Sequence, residues 1–176
     1  GAGSVNRDTG SIVKAFIKDC DQSTGIVSDT GNITLRASDK LASYAAGGGF
    51  SFSRSNQSAS DTENSSTSST AVGVGISVTL NEVGYNTARE VKTYIDNSRV
   101  TAKAGTVSLE ANANPEVFAL AIGGALSAAT GSKTTTESAV AVSAAGGISI
   151  NTVDMDVDTN ISGSSTVTGR QVTLQS

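Results

Sequence analysis

Hydrophobic and polar residues alternate with a period of two in three short segments, VKAFI from Val13, VKTYI from Val91 and VDTNI from Val157. This period is typical of a β-strand with one buried face. It predicts inward side chains at alternate positions, namely Val13, Ala15, Ile17, Val91, Thr93, Ile95, Val157, Thr159 and Ile161. The intervening residues are predicted to face outward: Lys14, Phe16, Lys92, Tyr94, Asp158 and Asn160.

A second alternating segment follows each of the first three, after a turn rich in Asp, Asn, Gly and Ser. The segments NITLRA, TVSLEA and QVTLQ predict strands that bury Ile33 with Leu35, Val107 with Leu109, and Val172 with Leu174. Each is preceded by a glycine, and Gly31, Gly105 and Gly169 are predicted to form tight corners with positive φ.

These similarities define an internal repeat. The first valine of each copy is Val13, Val91 or Val157, and the second half of the pattern recurs in step with the first. Two full units and the start of a third result, at about residues 11–83, 89–153 and 154–176. Repetition on a scale of about 65 to 78 residues is typical of solenoids. Two short strands and their corner occupy about 22 residues, close to one solenoid coil, so each unit is predicted to hold several coils.

Segments rich in small residues follow at 42–53 and 117–129, and their alanine and leucine content makes a helix the alternative to a strand. Paired glycines disfavour the helix by roughly 1 kcal/mol each relative to alanine, so strands are predicted. Phe50 and Phe52, or Leu120 and Ile122, alternate with small residues and would suit strands packed on both faces. The glycines at 47–49, 73 and 75 fit no phosphate-binding motif, and close strand packing is the preferred interpretation.

Residues 53–70 contain one alanine and no larger apolar side chain, which predicts a protruding polar loop. Insertions in solenoids often collect on a binding side. The candidate contact residues in this loop are Arg54, Asn56, Asp61, Glu63 and Asn64. A tolerated change of length without function is the alternative.

Composition supports a stack of thin layers. The chain is 37% hydrophobic but only 4% aromatic, so many small aliphatic contributions must supply the core. We predict an all-β fold, a right-handed parallel β-helix (β-solenoid) that forms a single segment over residues 5–176. Residues 1–4, Gly-Ala-Gly-Ser, resemble a cloning remnant.

Charge and cysteine content restrict the partners. The net charge of −4, without a basic cluster, argues against a nucleic-acid partner. The longest apolar run, near residues 117–126, is about half the roughly 20 residues of a membrane span, so no membrane insertion is expected. Cys20 has no partner for an internal disulfide, and its equivalents are Ser98 and Ser164, which indicates a small residue at a turn.

The absence of histidine excludes histidine-based catalysis and metal binding. An acidic row, Asp154, Asp156 and Asp158 with Asn160, is interpreted as a solvated face, and a calcium site is the alternative. Their spacing of about 6.5 to 7 Å along a strand suits a surface ladder better than a cage. We expect no enzyme activity, no catalytic residues and no cofactor.

The segments Val91–Ile95, Gly105–Ala111, Ala119–Ala128 and Ala71–Asn81 resemble repeats of large bacterial surface proteins of the leukotoxin-type class, and more distantly filamentous-haemagglutinin-like adhesins. The resemblance implies a non-catalytic structural and adhesive segment of a giant cell-surface or secreted adhesin, which serves virulence by giving reach and multivalent contact. The expected partners are host or neighbouring-cell surfaces, including glycans, and further repeats stacked at both ends. The expected location is the bacterial cell surface, associated with the outer membrane, or the secreted fraction. A carbohydrate-binding or polysaccharide-cleaving β-helix is the alternative.

Overall fold

The computed structural model describes residues 1–56, 68–130 and 139–176, and these residues form twelve strands without any helix. The all-β prediction is therefore confirmed. The strands are β1 (Ala2–Thr9), β2 (Ile12–Lys18), β3 (Ile26–Ser28), β4 (Ile33–Asn56), β5 (Ser69–Tyr85), β6 (Arg89–Asp96), β7 (Arg99–Ala102), β8 (Thr106–Thr130), β9 (Ala139–Val153), β10 (Met155–Ser162), β11 (Thr166–Thr168) and β12 (Gln171–Gln175). Residues 2–4, interpreted as part of a cloning remnant, lie within β1.

Three of the four sheets take one strand from each copy of the pattern, and the fourth combines β1, which precedes the first copy, with one strand from each of the first two copies. The four three-stranded sheets have the orders β1-β5-β9, β2-β6-β10, β3-β7-β11 and β4-β8-β12. In the second sheet β6 pairs in parallel with β2 and β10, and Val91 is in register with both Val13 and Val157. These are the residues that the sequence aligned, so the copies stack as parallel strands in a β-solenoid-like arrangement.

Each repeat forms one long coil, so the prediction of several coils per unit is wrong. Val91 is the direct register neighbour of Val13 on one side and of Val157 on the other, although a whole repeat unit of sequence separates each pair. The reason lies in β4 and β8, which are 24 and 25 residues long. Each continues from the alternating segment through the small-residue segment without the corner that a short coil needs.

The corners with positive φ differ from those predicted. Asp19, Asn97 and Gly163 occupy the same position after β2, β6 and β10, with φ of 52°, 44° and 62°. Asp and Asn tolerate this conformation better than other non-glycine residues, and the Asn97 amide donates a 2.9 Å hydrogen bond to the Asp19 carboxylate. Gly31, Gly105 and Gly169 do not have left-handed φ values. Gly105 is instead needed for close packing, because a β-carbon at this position would overlap the Gly31 carbonyl.

The chain divides into two compact units. The first, which we call the aliphatic-core unit, contains residues 7–43, 82–117 and 152–176. The second, which we call the glycine-core unit, contains residues 1–6, 44–81 and 118–151. The long strands β4, β5 and β8 contribute residues to both.

The aliphatic-core unit has a conventional interior. Its buried side chains include Leu35, Val91, Ile95, Val100, Val107 and Leu109. The predicted inward positions on β6 and β8 are therefore correct. In the third copy Val172 and Leu174 are 39% and 44% exposed, contrary to the prediction that they are buried, because β12 pairs only with β8 and ends its sheet.

The glycine-core unit has an interior of small residues. Two sheets face each other through Ala, Gly, Ser and Thr, and a β-carbon at Gly75 would overlap the Gly124 carbonyl oxygen across the gap. A β-carbon at Gly123 would likewise overlap the Gly146 carbonyl oxygen, and a β-carbon at Gly147 would overlap the Ala121 carbonyl oxygen. The backbones of the two sheets thus approach each other directly. The prediction of close packing agrees with the structure at Gly49, Gly73 and Gly75, but not at Gly48, where a β-carbon would meet only the Ile122 carbonyl oxygen at 3.8 Å.

The small-residue segment at 117–129 is a strand, as predicted, and lies within β8. The expectation that both faces are covered is wrong. Phe50 is 71% exposed, and Phe52, Leu120 and Ile122 are also exposed. Only the small side chains face the opposite sheet, because the close approach of the two backbones leaves no room for large ones.

Candidate functional site

The predicted contact loop is described only at its start. Arg54 and Asn56 lie at the end of β4, and residues 57–67, which include Asp61, Glu63 and Asn64, fall outside the described residues. The Asn56 side-chain oxygen accepts hydrogen bonds from the Arg54 guanidinium and the Thr130 hydroxyl, both at 2.9 Å. Arg54 and Asn56 are thus brought together, and Thr130 joins them from β8.

The acidic row does not form a common site. Asp154 lies between β9 and β10, Asp156 forms a 2.6 Å ion pair with Lys92, and Asp158 accepts a 2.6 Å hydrogen bond from Asn160. In the part of the chain that the structure describes, no three acidic, histidine or cysteine side chains are grouped as metal ligands. Sequence reasoning placed no basic residue near this row. It missed Lys92 because that residue comes from the neighbouring copy.

Opposite charges alternate across the outward face of the β2-β6-β10 sheet. Glu90 lies 3.0 Å from Lys14 and 3.5 Å from Lys92, and Lys92 also binds Asp156. The hydrogen bond from Lys14, reinforced by both lysine charges, lowers the pKa of Glu90. The hydrogen bond to Asp156 raises the pKa of Lys92. This row links all three copies of the repeat.

An aromatic pair lies beside this charged row. The rings of Phe16 and Tyr94 stack with centroids 5.1 Å apart and planes 6° apart, and Phe16 is 55% exposed. On the neighbouring strand β10, Asn160 is in register with Tyr94. Exposed rings beside amide and charged groups can contact the apolar face of a ligand while polar neighbours bind its hydroxyls. Both residues were predicted to face outward, but their stacking depends on the register.

A buried ion cluster was not found from the sequence. The Arg89 guanidinium binds the Asp39 carboxylate at 2.9 and 3.1 Å and also binds Asp8. Burial acts to lower the pKa of Arg89, but the hydrogen bonds to Asp39 and Asp8 outweigh it and raise that pKa. The sequence contained a signal for the burial of Arg89, because Arg89 lies two residues before Val91 and therefore on the same inward face of the strand. The Arg89 and Asp39 side chains are almost fully buried, whereas the Asp8 side chain is 33% exposed.

Cys20 occupies the turn position that the repeat indicated. Its backbone N–H donates to the Ser98 hydroxyl at 3.0 Å. The Cys20 thiol contacts the Lys18 carbonyl, and the Ser98 hydroxyl donates to the Asp96 carbonyl, so both side chains bond two residues back. Cys20 and Ser98 therefore have the same structural role in successive coils.

The glycine-core unit presents two apolar outer faces. The aromatic face, on β4 and β8, exposes Tyr44, Phe50, Phe52, Phe118, Leu120 and Ile122. The aliphatic face, on β5 and β9, exposes Val72, Val74, Ile76, Val78, Val140 and Val142. Among the described residues of this unit, Arg54 is the only one with a charged side chain.

Polar side chains of the same unit point inward. The Thr79 hydroxyl donates to the Leu120 carbonyl at 2.9 Å, and the Asn81 amide donates to the Phe118 carbonyl at 3.1 Å. Both donors are fully buried. The usual arrangement of apolar interior and polar exterior is therefore reversed in this unit.

Comparison of the chain with protein families, with curated proteins and with solved structures finds no match in any of the three. Among the residues that the structure describes, no helix is long and apolar enough to span a membrane.

Proposed function

We propose that this chain is a non-catalytic structural and adhesive segment of a large bacterial surface or secreted protein. Its coils would stack on further coils of the same parent chain and carry contact surfaces away from the cell. We further propose that the solenoid is right-handed, because parallel crossover connections are right-handed in almost all known cases.

The observation that supports this proposal is the in-register stacking of the three sequence copies. The alignment Val13-Val91-Val157 continues through Ile17-Ile95-Ile161 without a shift. A parallel stack of this kind can be extended by adding copies, since each coil contacts only its neighbours. Length can therefore grow without a new core design, as a stalk requires.

Force spectroscopy tests the structural part. We expect a chain pulled from its ends to unravel coil by coil, with contour-length steps of about 22 to 24 nm for the coil that runs from Arg89 to Asp154. A single step that releases the whole described chain would contradict an independently stacking array.

The adhesive part is tested with protein-coated beads on cell monolayers and on a glycan array. We expect binding that falls when Phe16→Ala and Tyr94→Ala remove the exposed aromatic stack. Ile12→Ala, an exposed aliphatic position on the same sheet, is the matched control. Equal binding by beads coated with an unrelated β-protein would contradict an adhesive role.

The alternative function is a carbohydrate-binding β-helix, which the Phe16–Tyr94 stack, with its exposed Phe16 ring, specifically favours. Soluble binding to one defined glycan, without adhesion to cells, would support it over the adhesive segment. Release of reducing ends from a polysaccharide would replace both proposals with an enzyme. A large rise of Tm on adding calcium would establish that the chain binds calcium, and loss of that rise in Asp156→Asn would place the site at the acidic row.

A further inference from the structure

The aliphatic-core unit has two ends, a first-copy end formed by β2, β3 and the start of β4, and a third-copy end formed by β10, β11 and β12. We infer that the third-copy end of one chain binds the first-copy end of a second copy of this chain, with β10 paired in parallel to β2 of its neighbour. The inference rests on the proposed stacking of coils and adds to it a partner from another chain, with its register.

Both ends have open strand edges in the part of the chain that the structure describes. There β2 and β10 each pair only with β6, and β12 pairs only with β8. The inward residues Val91, Thr93 and Ile95 of β6 are fully buried, whereas their counterparts on β2 and β10 are only partly buried. Leu174 of β12 is 44% exposed, although Leu109 beside it on β8 is fully buried. A further coil at each end would therefore bury core side chains and pair the open edges.

The junction that two chains would form already exists within one chain. β6 pairs with β2 so that Val91 is in register with Val13. β10 carries the same inward residue types as β6 in the same order, namely Val157, Thr159 and Ile161. Neither β2 nor β10 has a proline or an inward-facing charge that would oppose pairing at its edge. β10 can therefore take the place of β6 on β2 of a second chain.

The outward charges of the two end strands are opposite. β2 carries Lys14 and Lys18 without an acidic residue, and β10 carries Asp156 and Asp158 without a basic one. Lys92 is in register with both Lys14 and Asp158, so the same register places Asp158 opposite Lys14 of the second chain. Contact between like ends would instead bring like charges together. Charge therefore selects the head-to-tail order, which is a heterologous contact that can repeat in an open series.

The ion pairs within one chain leave this contact available. Lys14 binds Glu90, but its side chain is still 34% exposed and Glu90 is shared with Lys92. A lysine ammonium has three donors, so a second carboxylate can bind it. Asp158 accepts a hydrogen bond from Asn160 on its own strand and has no ion-pair partner among the described residues. Lys14 and Asp158 can thus meet without breaking an existing pair.

One end supplies enough area for one interface. The third-copy end comprises residues 155–175. About 21 residues with a rise of about 3.3 Å, in a layer about 10 Å thick, give roughly 700 Å². Two such ends would bury about 1,400 Å² in total, within the range of about 1,200 to 2,000 Å² for standard specific interfaces. A single end-to-end contact is therefore sufficient without any other surface.

Sedimentation velocity over about 1 to 200 µM chain tests the inference through mass action. The wild-type chain is expected to gain mass with concentration. Lys14→Glu and Asp158→Lys should each need about tenfold higher concentration to assemble, because each places like charges opposite each other. An equimolar mixture of the two variants should assemble like wild type in alternating order, since every contact then joins opposite charges.

Lys103→Glu, the same charge change on the central copy, is the matched control and should assemble like wild type. Far-ultraviolet circular dichroism checks that each variant keeps its strand content. A wild type that stays monomeric at all concentrations, or a mixture that assembles no better than its components, would overturn the inference. Coil-by-coil unravelling of a chain that stays monomeric would overturn it and leave the proposed stalk intact.

Disulfide cross-linking tests the register without changing the charges. Phe16 and Asn160 are both in register with Tyr94, so the inferred contact places Asn160 opposite Phe16 of the second chain. In a Cys20→Ser background, chains with Phe16→Cys and chains with Asn160→Cys are mixed and mildly oxidised. Peptide mapping should find the mixed 16–160 disulfide in several-fold excess over both symmetric disulfides. A statistical mixture of the three disulfides would show random collision and would contradict the inference.

Discussion

Individual residues in this protein are constrained most strongly where two backbones or two charges meet. Gly75 and Gly123 lie against carbonyl groups of the opposite sheet, and Arg89 is paired with two carboxylates. In both cases the critical contact joins residues far apart in sequence. Small local changes should therefore have large, specific effects.

Gly75→Ala is expected to destabilise the fold by about 1 to 3 kcal/mol, because the added methyl group must push the facing backbone away. Chemical denaturation monitored by circular dichroism measures the change. Gly146→Ala is the matched control in the same unit, since a β-carbon there meets nothing within 4 Å. Equal losses from both substitutions would show that the close approach of the Gly124 carbonyl does not govern the cost at Gly75.

Arg89→Met is expected to cost about 3 to 5 kcal/mol, because it leaves the buried Asp39 carboxylate without its partner. Adding Asp39→Leu should recover part of the loss, since the uncompensated charge is then removed. Denaturant midpoints of the two variants and of Asp39→Leu alone complete the double-mutant cycle. A purely additive result would contradict direct coupling between the two side chains.

At the scale of the strand, β6 provides most of the buried contacts of its sheet, because it is the central strand and pairs with both β2 and β10. Val91, Thr93 and Ile95 are fully buried between their counterparts on β2 and β10. The outward side of the same three strands holds the alternating charges and the aromatic pair. One strand thus supplies both the core contacts and the exposed row.

Ile95→Ala is expected to destabilise the protein by about 2 to 5 kcal/mol through lost burial and a residual cavity. Ile12→Ala, on β2 and 61% exposed, should change stability by about 0.5 kcal/mol or less. Equilibrium unfolding of both variants under identical conditions provides the test. Comparable losses would mean that β2 and β6 do not stack in the observed register.

The charged row should make stability depend on acid pH. The pKa of Glu90 in the folded chain is lowered below its ordinary value of 4.5, so its contribution is present above that value and lost as the pH falls through the lowered pKa. We expect Glu90→Gln to lower Tm slightly at pH 7 and to make the decline of Tm below pH 4.5 shallower. A decline as steep as that of wild type would assign the acid sensitivity to other carboxylates.

At the scale of the whole molecule, the stacked repeat determines both the stability of the fold and how the array can be extended by further coils. Arg89 is in register with Met155, so residues 89–154 constitute one complete coil. Arrays of this kind gain stability from each added neighbour contact. Extension is therefore a more informative experiment than truncation, because it leaves existing contacts intact.

Duplication of residues 89–154 in place is expected to raise Tm and leave the far-ultraviolet circular dichroism per residue unchanged. The physical reason is that the new coil covers, and is covered by, register-matched neighbours. Calorimetry measures the transition. A separate low-temperature transition for the inserted coil would contradict in-register stacking.

The sequence by itself determined the strand class, the repeat and the inward positions of β2, β6 and the first half of β8, because a period of two and its recurrence are local signals. It also identified Phe16 and Tyr94 as outward residues, and the turn position of Cys20. Only the tertiary structure decided the coil length, the partners of Arg89 and Lys92, and the reversed polarity of the glycine-core unit. Those features depend on which copy lies beside which and how closely two sheets approach. In the glycine-core unit, alternation gave the two sides of each strand but not the inward one, because the large apolar side chains there face outward.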